Sequence, residues 1–317
     1  MNVGQNIFEK NKVYHGDCLE VMKQIPNKSI NLVVVDLPYN IGKAYKSDLE
    51  WDKWESIDKY IEWVGEGFKE VERILKDNGS FYWFHNDFEI LCEIQQWIKK
   101  NTNFKHRQFI TWNKRFDGGK KKSYLDGYVM EERTKNYYKM CEYIMFYTFE
   151  NHWKVKEERE KRGLKQTDIS KEIKSKNGNF TGWFSNIESG KYFPTEETII
   201  PIKKHLGLDL NDLVHTFNNQ KKHHSVWNYE ITEKTIHPTQ KPLDLIKNII
   251  LHSSNEGDIV LDYTAGYSTT AIACIETKRD WIMIEKDEEF YIHSLKRVEE
   301  KRKEKDFNVV TSFGDVL

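Results

Sequence analysis

Two short apolar runs, one in each half of the chain and each closing on an aspartate, limit the possible folds most. Val33-Val34-Val35 leads into Asp36, and Asp258-Ile259-Val260-Leu261 leads into Asp262. Runs this short with β-branched residues read as strands buried on both faces, and such strands belong to parallel sheets covered by helices. Between and around them the period changes. Ile57, Ile61, Val64, Phe68, Val71 and Leu75 recur at steps of three and four, an amphipathic helix that Asn78-Gly79 is expected to end. Ser80–Phe84, Phe109–Trp112 and Glu142–Phe149 read as strands. Leu243–His252 and Thr269–Glu276 read as helices, the second with small residues at Ala271 and Ala273, and Trp281–Ile284 is a strand ending at Glu285. Strands alternating with helices give an α/β fold with a mostly parallel sheet. In such sheets ligands sit at the carboxyl ends of strands, which is where the two aspartates stand.

The segment from Asn151 to about Lys222 breaks this alternation: it is lysine-rich, helical in pattern and poor in strand signals. The chain therefore divides into 1–150, 151–222 and 223–317. A net charge of -1 excludes a globally basic nucleic-acid binder, so phosphate contacts would have to come from local clusters. Lys114, Arg115, Lys120, Lys121 and Lys122 form one; Lys154, Lys156, Arg159, Lys161, Arg162 and Lys165 form another, interrupted by acids. The bland meaning of either is a solvated face. Cys18, Cys92, Cys141 and Cys274 lie far apart, without zinc-ligand spacing or a disulfide framework, and fit thiols of a reducing cytoplasm; no metal is expected. Met1–Lys10 lacks an apolar signal core, and no run approaches the ~20 residues needed to span a bilayer.

Two loops follow the aspartate-ended strands: Asp36-Leu37-Pro38-Tyr39 and Asp262-Tyr263-Thr264-Ala265-Gly266. Either alone is an ordinary strand-to-helix turn; together they suggest a two-sided site. The first resembles the Asp-Pro-Pro-Tyr motif of amino-methyltransferases acting on nucleic acid, with Asn40 and the upstream Gly16-Asp17 also fitting. His237-Pro238-Thr239-Gln240-Lys241-Pro242 matches the segment those enzymes place just before their cofactor half. Asp262 to Thr270 is similar to their cofactor loop, usually Asp-Pro-Phe-x-Gly-Ser-Gly-Thr-Thr, with Tyr263, Thr264 and Ser268 as departures. Catalytic motif first, recognition segment in the middle and cofactor motif last is the β-class order of bacterial DNA adenine-N6 and cytosine-N4 methyltransferases. The resemblance implies a Rossmann-like, circularly permuted, seven-stranded sheet with an all-α helix-turn-helix insertion, and S-adenosyl-L-methionine as cofactor.

The chemistry agrees. An exocyclic amino group is a poor nucleophile because its lone pair is delocalised into the ring. Acceptors on its two hydrogens hold it in a more reactive geometry: the Asp36 carboxylate is one, the backbone carbonyl of Leu37 the other, whatever the side chain there. Pro38 completes the turn, and Tyr39 offers a ring on which an extruded base can stack. By resemblance the cofactor is held by Asp262, Thr264, Ala265, Gly266, Ser268, Thr269 and Thr270, with Thr239 and Lys241 at the cofactor end of the site and Asp17 near its adenine. Glu285, at a strand end, is placed to accept from ribose hydroxyls. Ser268 in place of glycine is expected to crowd the methionine moiety or to strain the backbone.

Residues 155–208 resemble a Cro/repressor-type helix-turn-helix: Gly163-Leu164 with Gln166, then Ile187-Glu188 with Gly190 and Pro194, then Leu206-Gly207. A third helix over about Asn179–Ser189 would enter the major groove. Gln166, Asn179, Thr181, Ser185 and Asn186 are the candidate DNA contacts, while Ile169, Ile187 and Leu206 are expected in the core. The expected activity is methylation of a flipped adenine at N6 in double-stranded DNA, by a bacterial or phage-encoded cytoplasmic enzyme; a homodimer and a cognate restriction endonuclease are further partners that the resemblance admits. Cytosine-N4 methylation, a decayed DNA-binding regulator and an RNA methyltransferase are the alternatives. The last is disfavoured because the A-form major groove does not admit a reading helix.

Overall fold

The computed structural model describes residues 8–40, 53–116, 119, 140–173, 182–218, 224–232 and 240–314, with backbone alone over 305–314. Among them, eight strands form one sheet: β1 (Lys12–His15), β2 (Ile30–Asp36), β3 (Leu75–His85), β4 (Lys105–Asn113), β5 (Cys141–Thr148), β6 (Val226–Asn228), β7 (Ile259–Asp262) and β8 (Asp280–Glu285). The order across the sheet is β1-β8-β7-β2-β3-β5-β4-β6, one strand more than expected. The pairs from β1 through β3 are parallel, β5 runs antiparallel to both β3 and β4, and β6 returns to parallel. β7, late in the chain, lies directly beside β2, so the two aspartate-ended strands are neighbours, as the permuted order requires.

Alternation along the central strands sends Val33 and Val35 to one core and Leu32 and Val34 to the other. The first core is closed by α1 (Cys18–Met22), α2 (Ile57–Ile74) and α3 (Phe88–Asn101). The second is closed by α9 (Leu243–Ser253) and α10 (Thr269–Thr277), with α11 (Glu288–Gly314) beside it. Burial on both faces is why these strands read as continuous apolar runs. α2 starts on Ser56, whose side chain accepts from Lys59 N, but ends earlier than expected. Leu75 already belongs to β3 and pairs with Ile30, while Leu32 pairs with Ser80, so the intervening residues bulge out of the ladder. Asn78-Gly79 is part of that bulge rather than a helix terminus. A Cβ at Gly79 would meet Leu75 Cδ1 at 2.6 Å and the Asn31 carbonyl at 2.9 Å.

The middle segment is all-helical where it is described: α4 (Trp153–Lys161), α5 (Gln166–Ser170), α6 (Trp183–Glu188), α7 (Glu196–Leu206) and α8 (Leu210–Leu213). It has its own core of Val155, Ile169, Phe184, Ile187, Ile202, Leu206 and Leu213, which includes the three core residues expected. Gly163, Gly190 and Gly207 all take left-handed backbone just past helix ends, the conformation that glycine allows. The module is rooted on the β3 bulge. Lys154 pairs with Asp77 at 2.6 Å, Asn151 Nδ2 donates to the Asp77 carbonyl at 2.8 Å, and Thr216 N donates to the Asn78 carbonyl at 3.0 Å. That is the start of β3, whereas Asp36 is in register with Phe84 near its end. At ~3.3 Å per residue the two are roughly 20 Å apart, at opposite ends of the strands.

Candidate active site

At the carboxyl ends of β2 and β7 the two motif loops close on one cleft, lined among others by Asp36, Phe84, Lys241, Asp262, Thr264 and Gly266. Thr264 Oγ1 donates to the Asp36 carbonyl at 2.9 Å, a direct link between loops from the two halves of the chain. Tyr60 Oη, on α2, donates to the Pro38 carbonyl at 2.7 Å and holds the first loop from beneath.

Both oxygens of the Asp36 carboxylate are engaged. Oδ2 takes the Lys241 ammonium at 2.5 Å and Oδ1 takes the Tyr39 hydroxyl at 2.7 Å. The Tyr39 ring is buried against His85, centroids 5.0 Å apart, so in this state it is turned inward rather than presented for stacking. Lys241, expected at the cofactor end, sits with its ammonium on the catalytic-loop carboxylate and only 6% of its side chain exposed. Leu37 is buried in the first core.

A second carboxylate, which the sequence reading did not single out, completes this cluster. Glu142, at the start of β5, places Oε2 3.1 Å from Tyr39 Oη and 3.3 Å from Lys241 Nζ, while Oε1 accepts from Lys114. Burial works to raise the Glu142 carboxyl, but the ammonium groups of Lys241 and Lys114 outweigh it and hold it at about 2. Burial raises Asp36 and the Glu142 charge adds to it, with Lys241 offsetting only part. Lys114, read from sequence as part of a basic cluster, is thus committed to the site. A charged residue at the head of the otherwise apolar and aromatic run Glu142–Phe149 was the available signal.

On the cofactor side, Asp262 accepts from Thr264 N at 3.2 Å and from Thr270 Oγ1 at 2.6 Å; burial pushes its carboxyl up to about 7, against those hydrogen bonds. Gly266 has φ of +51°. Its N–H donates to Glu285 Oε2 at 2.7 Å, while Asp287 N donates to Oε1 at 2.8 Å. Burial pushes Glu285 up to about 7 as well. Ala265 N donates to the Ile284 carbonyl, so the loop is laid along the end of β8. Thr269 Oγ1 accepts from Arg297 at 3.2 Å. Ser268 takes φ of +53° and ψ of +41°, the strained alternative expected for it. Its fully buried hydroxyl finds no hydrogen-bond partner and does not line the cleft, so it crowds nothing there. Asp17 caps α1 through Leu19 N and pairs with Lys286 at 3.2 Å, one strand over from Glu285. Gln240 lines the cleft, and Thr239 lies outside the described residues.

The candidate DNA contacts are elsewhere. Gln166 is exposed at the start of α5 and donates to Glu188; Ser185 is exposed and Asn186 half-buried on α6. Asn179 and Thr181 lie outside the described residues. Among the described residues no cluster of side chains could hold a metal ion, and no helix is long and apolar enough to cross a membrane.

Comparison with known proteins gives a consistent result. A family model described as DNA methylase (N6_N4_Mtase) matches residues 30–296. The chain is 31% identical over 296 residues to the DNA adenine methyltransferase YhdJ of Escherichia coli (strain K12), covering 92% of this chain and 83% of that protein. It is 35% identical over 115 residues to the type II methyltransferase M.HinfI of Haemophilus influenzae, a match covering only 32% of that protein. Among solved structures it is similar to the M1.HpyAVI–SAM complex, with TM-score 0.51, 20% identity and coverage of 90% of this chain and 98% of that one. It is also similar to the PvuII cytosine-N4-specific DNA methyltransferase, with TM-score 0.56, 16% identity and coverage of 90% and 86%.

Proposed function

The chain belongs to the DNA methylase family, and from that premise we propose that it transfers a methyl group from S-adenosyl-L-methionine to the exocyclic N6 of a flipped adenine in double-stranded DNA. One observation carries the reading: the Asp36 carboxylate and the Gly266 loop, from opposite halves of the chain, face one cleft and are tied together through Thr264. Adenine is favoured over cytosine because the relative that matches along 92% of the chain is named an adenine methyltransferase, and because aspartate opens the catalytic motif.

The cofactor side fits its proposed occupant. Gly266 lets the backbone approach closely, and the buried Glu285 carboxylate, held by the Gly266 and Asp287 N–H groups, stands behind that loop as the acceptor proposed for ribose hydroxyls once the loop opens to the cofactor. When bound, the cofactor supplies an electrophilic methyl on a sulfonium. The chain supplies the rest. Asp36 accepts one hydrogen of the target amino group and the Leu37 carbonyl the other, which turns the nitrogen lone pair toward the methyl. Asp36 would then take up the proton that the methylated nitrogen loses. Tyr39 stacks on the base after turning outward. Asp17, Thr239, Asp262, Thr264, Ala265, Thr269 and Thr270 shape the cofactor end, with Ser268 supporting the loop from behind. Residues 1–150 and 223–317 are the catalytic and cofactor-binding halves.

The module at 151–222 is the DNA-reading unit, with Gln166, Asn179, Thr181, Ser185 and Asn186 as its candidate DNA contacts. Its separate core and its helix-end glycines support this reading. Rooted roughly 20 Å from Asp36, it would engage DNA some distance from the methylated base. The reading needs one chain and one duplex, in the bacterial cytoplasm; neither a second copy nor a restriction endonuclease is part of it.

The test is incubation with labelled S-adenosylmethionine and unmethylated bacterial DNA, followed by digestion to nucleosides. Labelled N6-methyladenine is expected. N4-methylcytosine would keep the mechanism and change the base. No label, with no cofactor binding by calorimetry, would sink the reading.

A further inference from the structure

We propose that Glu142 is a positioning residue for methyl transfer: it takes over the Lys241 ammonium and so frees Asp36 for the target amino group. The inference rests on the amino-methyltransferase reading above.

Both Asp36 oxygens are occupied before any base arrives, Oδ2 by Lys241 at 2.5 Å and Oδ1 by Tyr39 at 2.7 Å. An amino group that is to donate to Asp36 must displace one of them. A buried ammonium cannot simply be released, because an unpaired charge in a desolvated site is strongly unfavourable. Glu142 Oε2 is already 3.3 Å from Lys241 Nζ and 3.1 Å from Tyr39 Oη. A small rotation of Lys241 therefore exchanges one carboxylate for another, and no charge is stranded. The same acceptor is left free for Lys241 when Tyr39 swings out to meet the base. Glu142 is suited to this because Lys114 fixes its other oxygen and both lysines keep it ionised. The exchange also removes a positive charge from beside Asp36 at the step in which the amino nitrogen becomes cationic, before its proton leaves.

The charged and titratable groups facing Asp36 are Tyr39 on its own loop, Glu142 from β5, Lys114 after β4, Lys241 ahead of α9, Asp262 from β7 and, behind Tyr39, His85 from β3. Of these, Glu142 and Lys241 act on it most, in opposite senses.

The experiment is single-turnover methyl transfer by Glu142→Gln across pH, with cofactor affinity measured in parallel by calorimetry. In the variant Lys241 has only Asp36 to pair with and competes with the target amino group. The transfer rate should fall about 30-fold or more, with cofactor Kd within about threefold. The acid limb of the rate profile should move to lower pH, because a neighbouring negative charge is gone. Glu142→Asp should regain most of the loss. Glu142→Gln combined with Lys114→Met removes the ammonium that the first change strands, so loss of folding is separated from loss of the exchange; it should be as slow as Glu142→Gln. A folded Glu142→Gln enzyme with a rate within threefold of the unmodified protein and an unmoved acid limb would overturn the role of Glu142 alone. An unmodified protein that methylates no base would overturn the proposed function and this role with it.

Discussion

The two end-edges of the sheet, at the carboxyl and at the amino ends of its central strands, hold their charges differently. At the carboxyl ends of β2 and β7, Asp36, Glu142, Lys241 and Lys114 pair with one another in a nearly closed cluster, and Asp262 and Glu285 are buried with carboxyls raised to about 7. At the opposite edge, Asp77 bridges Lys154 and Lys28 but stays 42% exposed. Exposed pairs of this kind contribute about 0–1 kcal/mol each and are screened by salt. Buried, strongly shifted groups are unfavourable for stability unless fully paired, and they mark places where chemistry is performed. The rim thus carries reactive groups at some cost in stability. The helical module, by contrast, relies on an apolar core of its own.

The largest expected effect tests the reactive edge. Asp36→Ala should lower methyl transfer by about 10³-fold or more, since it removes a directed acceptor from the reacting nitrogen. Lys241 keeps Glu142 as a partner, so cofactor and DNA affinities should stay within a few-fold. Transfer surviving within tenfold would mean that the rim cluster is merely structural. The next test addresses the other edge. Phe184 is fully buried in the module core, and Phe184→Ala should destabilise that module by about 3–5 kcal/mol. Amide exchange should speed up over α4 to α8 while cofactor affinity changes less than about twofold. If the whole chain loses protection together, the two regions are one cooperative unit and the comparison fails.

A smaller effect comes from the raised carboxyls. A ribose hydroxyl donates best to ionised Glu285, so cofactor affinity should rise with pH through about 7. Between pH 6 and 8 the gain should be roughly tenfold, from a single linked proton. Stability of the free protein runs the other way. A carboxyl raised on folding contributes fully below its unfolded value, and that contribution is lost as pH rises through the folded value near 7. Titration calorimetry at several pH values checks the first and denaturant melts the second. Glu285→Gln should flatten the affinity slope, and a slope that persists in the variant would assign the linked proton elsewhere.

Sequence showed the reactive edge better than its wiring. β2 and β7 were legible because burial on both faces leaves no alternation, and the aspartates at their ends marked the rim. β1 and β6 were missed because runs of four and three residues carry no period. Asn78-Gly79 misled because the residues that end helices also suit a bulge. Glu142 was marked only by its charge at the head of an apolar run and was overlooked as a site residue, because the antiparallel return of β5 is what brings it beside Asp36 and pairing direction is not written in a single strand. Lys241 lines the cleft between the two motif loops, but the carboxylates it meets depend on the same return. The module core was legible from its helix-end glycines and apolar positions, whereas its place on the far edge depends on the side of the sheet to which β5 delivers the chain.

The smallest effect sharpens the contrast at the level of one residue. Left-handed positions in the module are glycine at 163, 190 and 207, whereas at the rim Ser268 holds φ of +53° with a side chain. A non-glycine residue there costs about 1–2 kcal/mol of backbone strain, and the unpartnered buried hydroxyl adds a desolvation penalty. Ser268→Gly removes both but restores chain entropy to the unfolded state, which offsets roughly 0.5–1 kcal/mol. The net gain should be about 1 kcal/mol, seen as a melting temperature about 2–4 °C higher. Because the hydroxyl does not line the cleft, methyl transfer should stay within twofold. A stabilised variant with much slower transfer would show that the strain itself sets the geometry of the cofactor loop. No gain in stability would show that the hydroxyl is held by an interaction that repays its position, and the rim would then be less strained than its backbone implies.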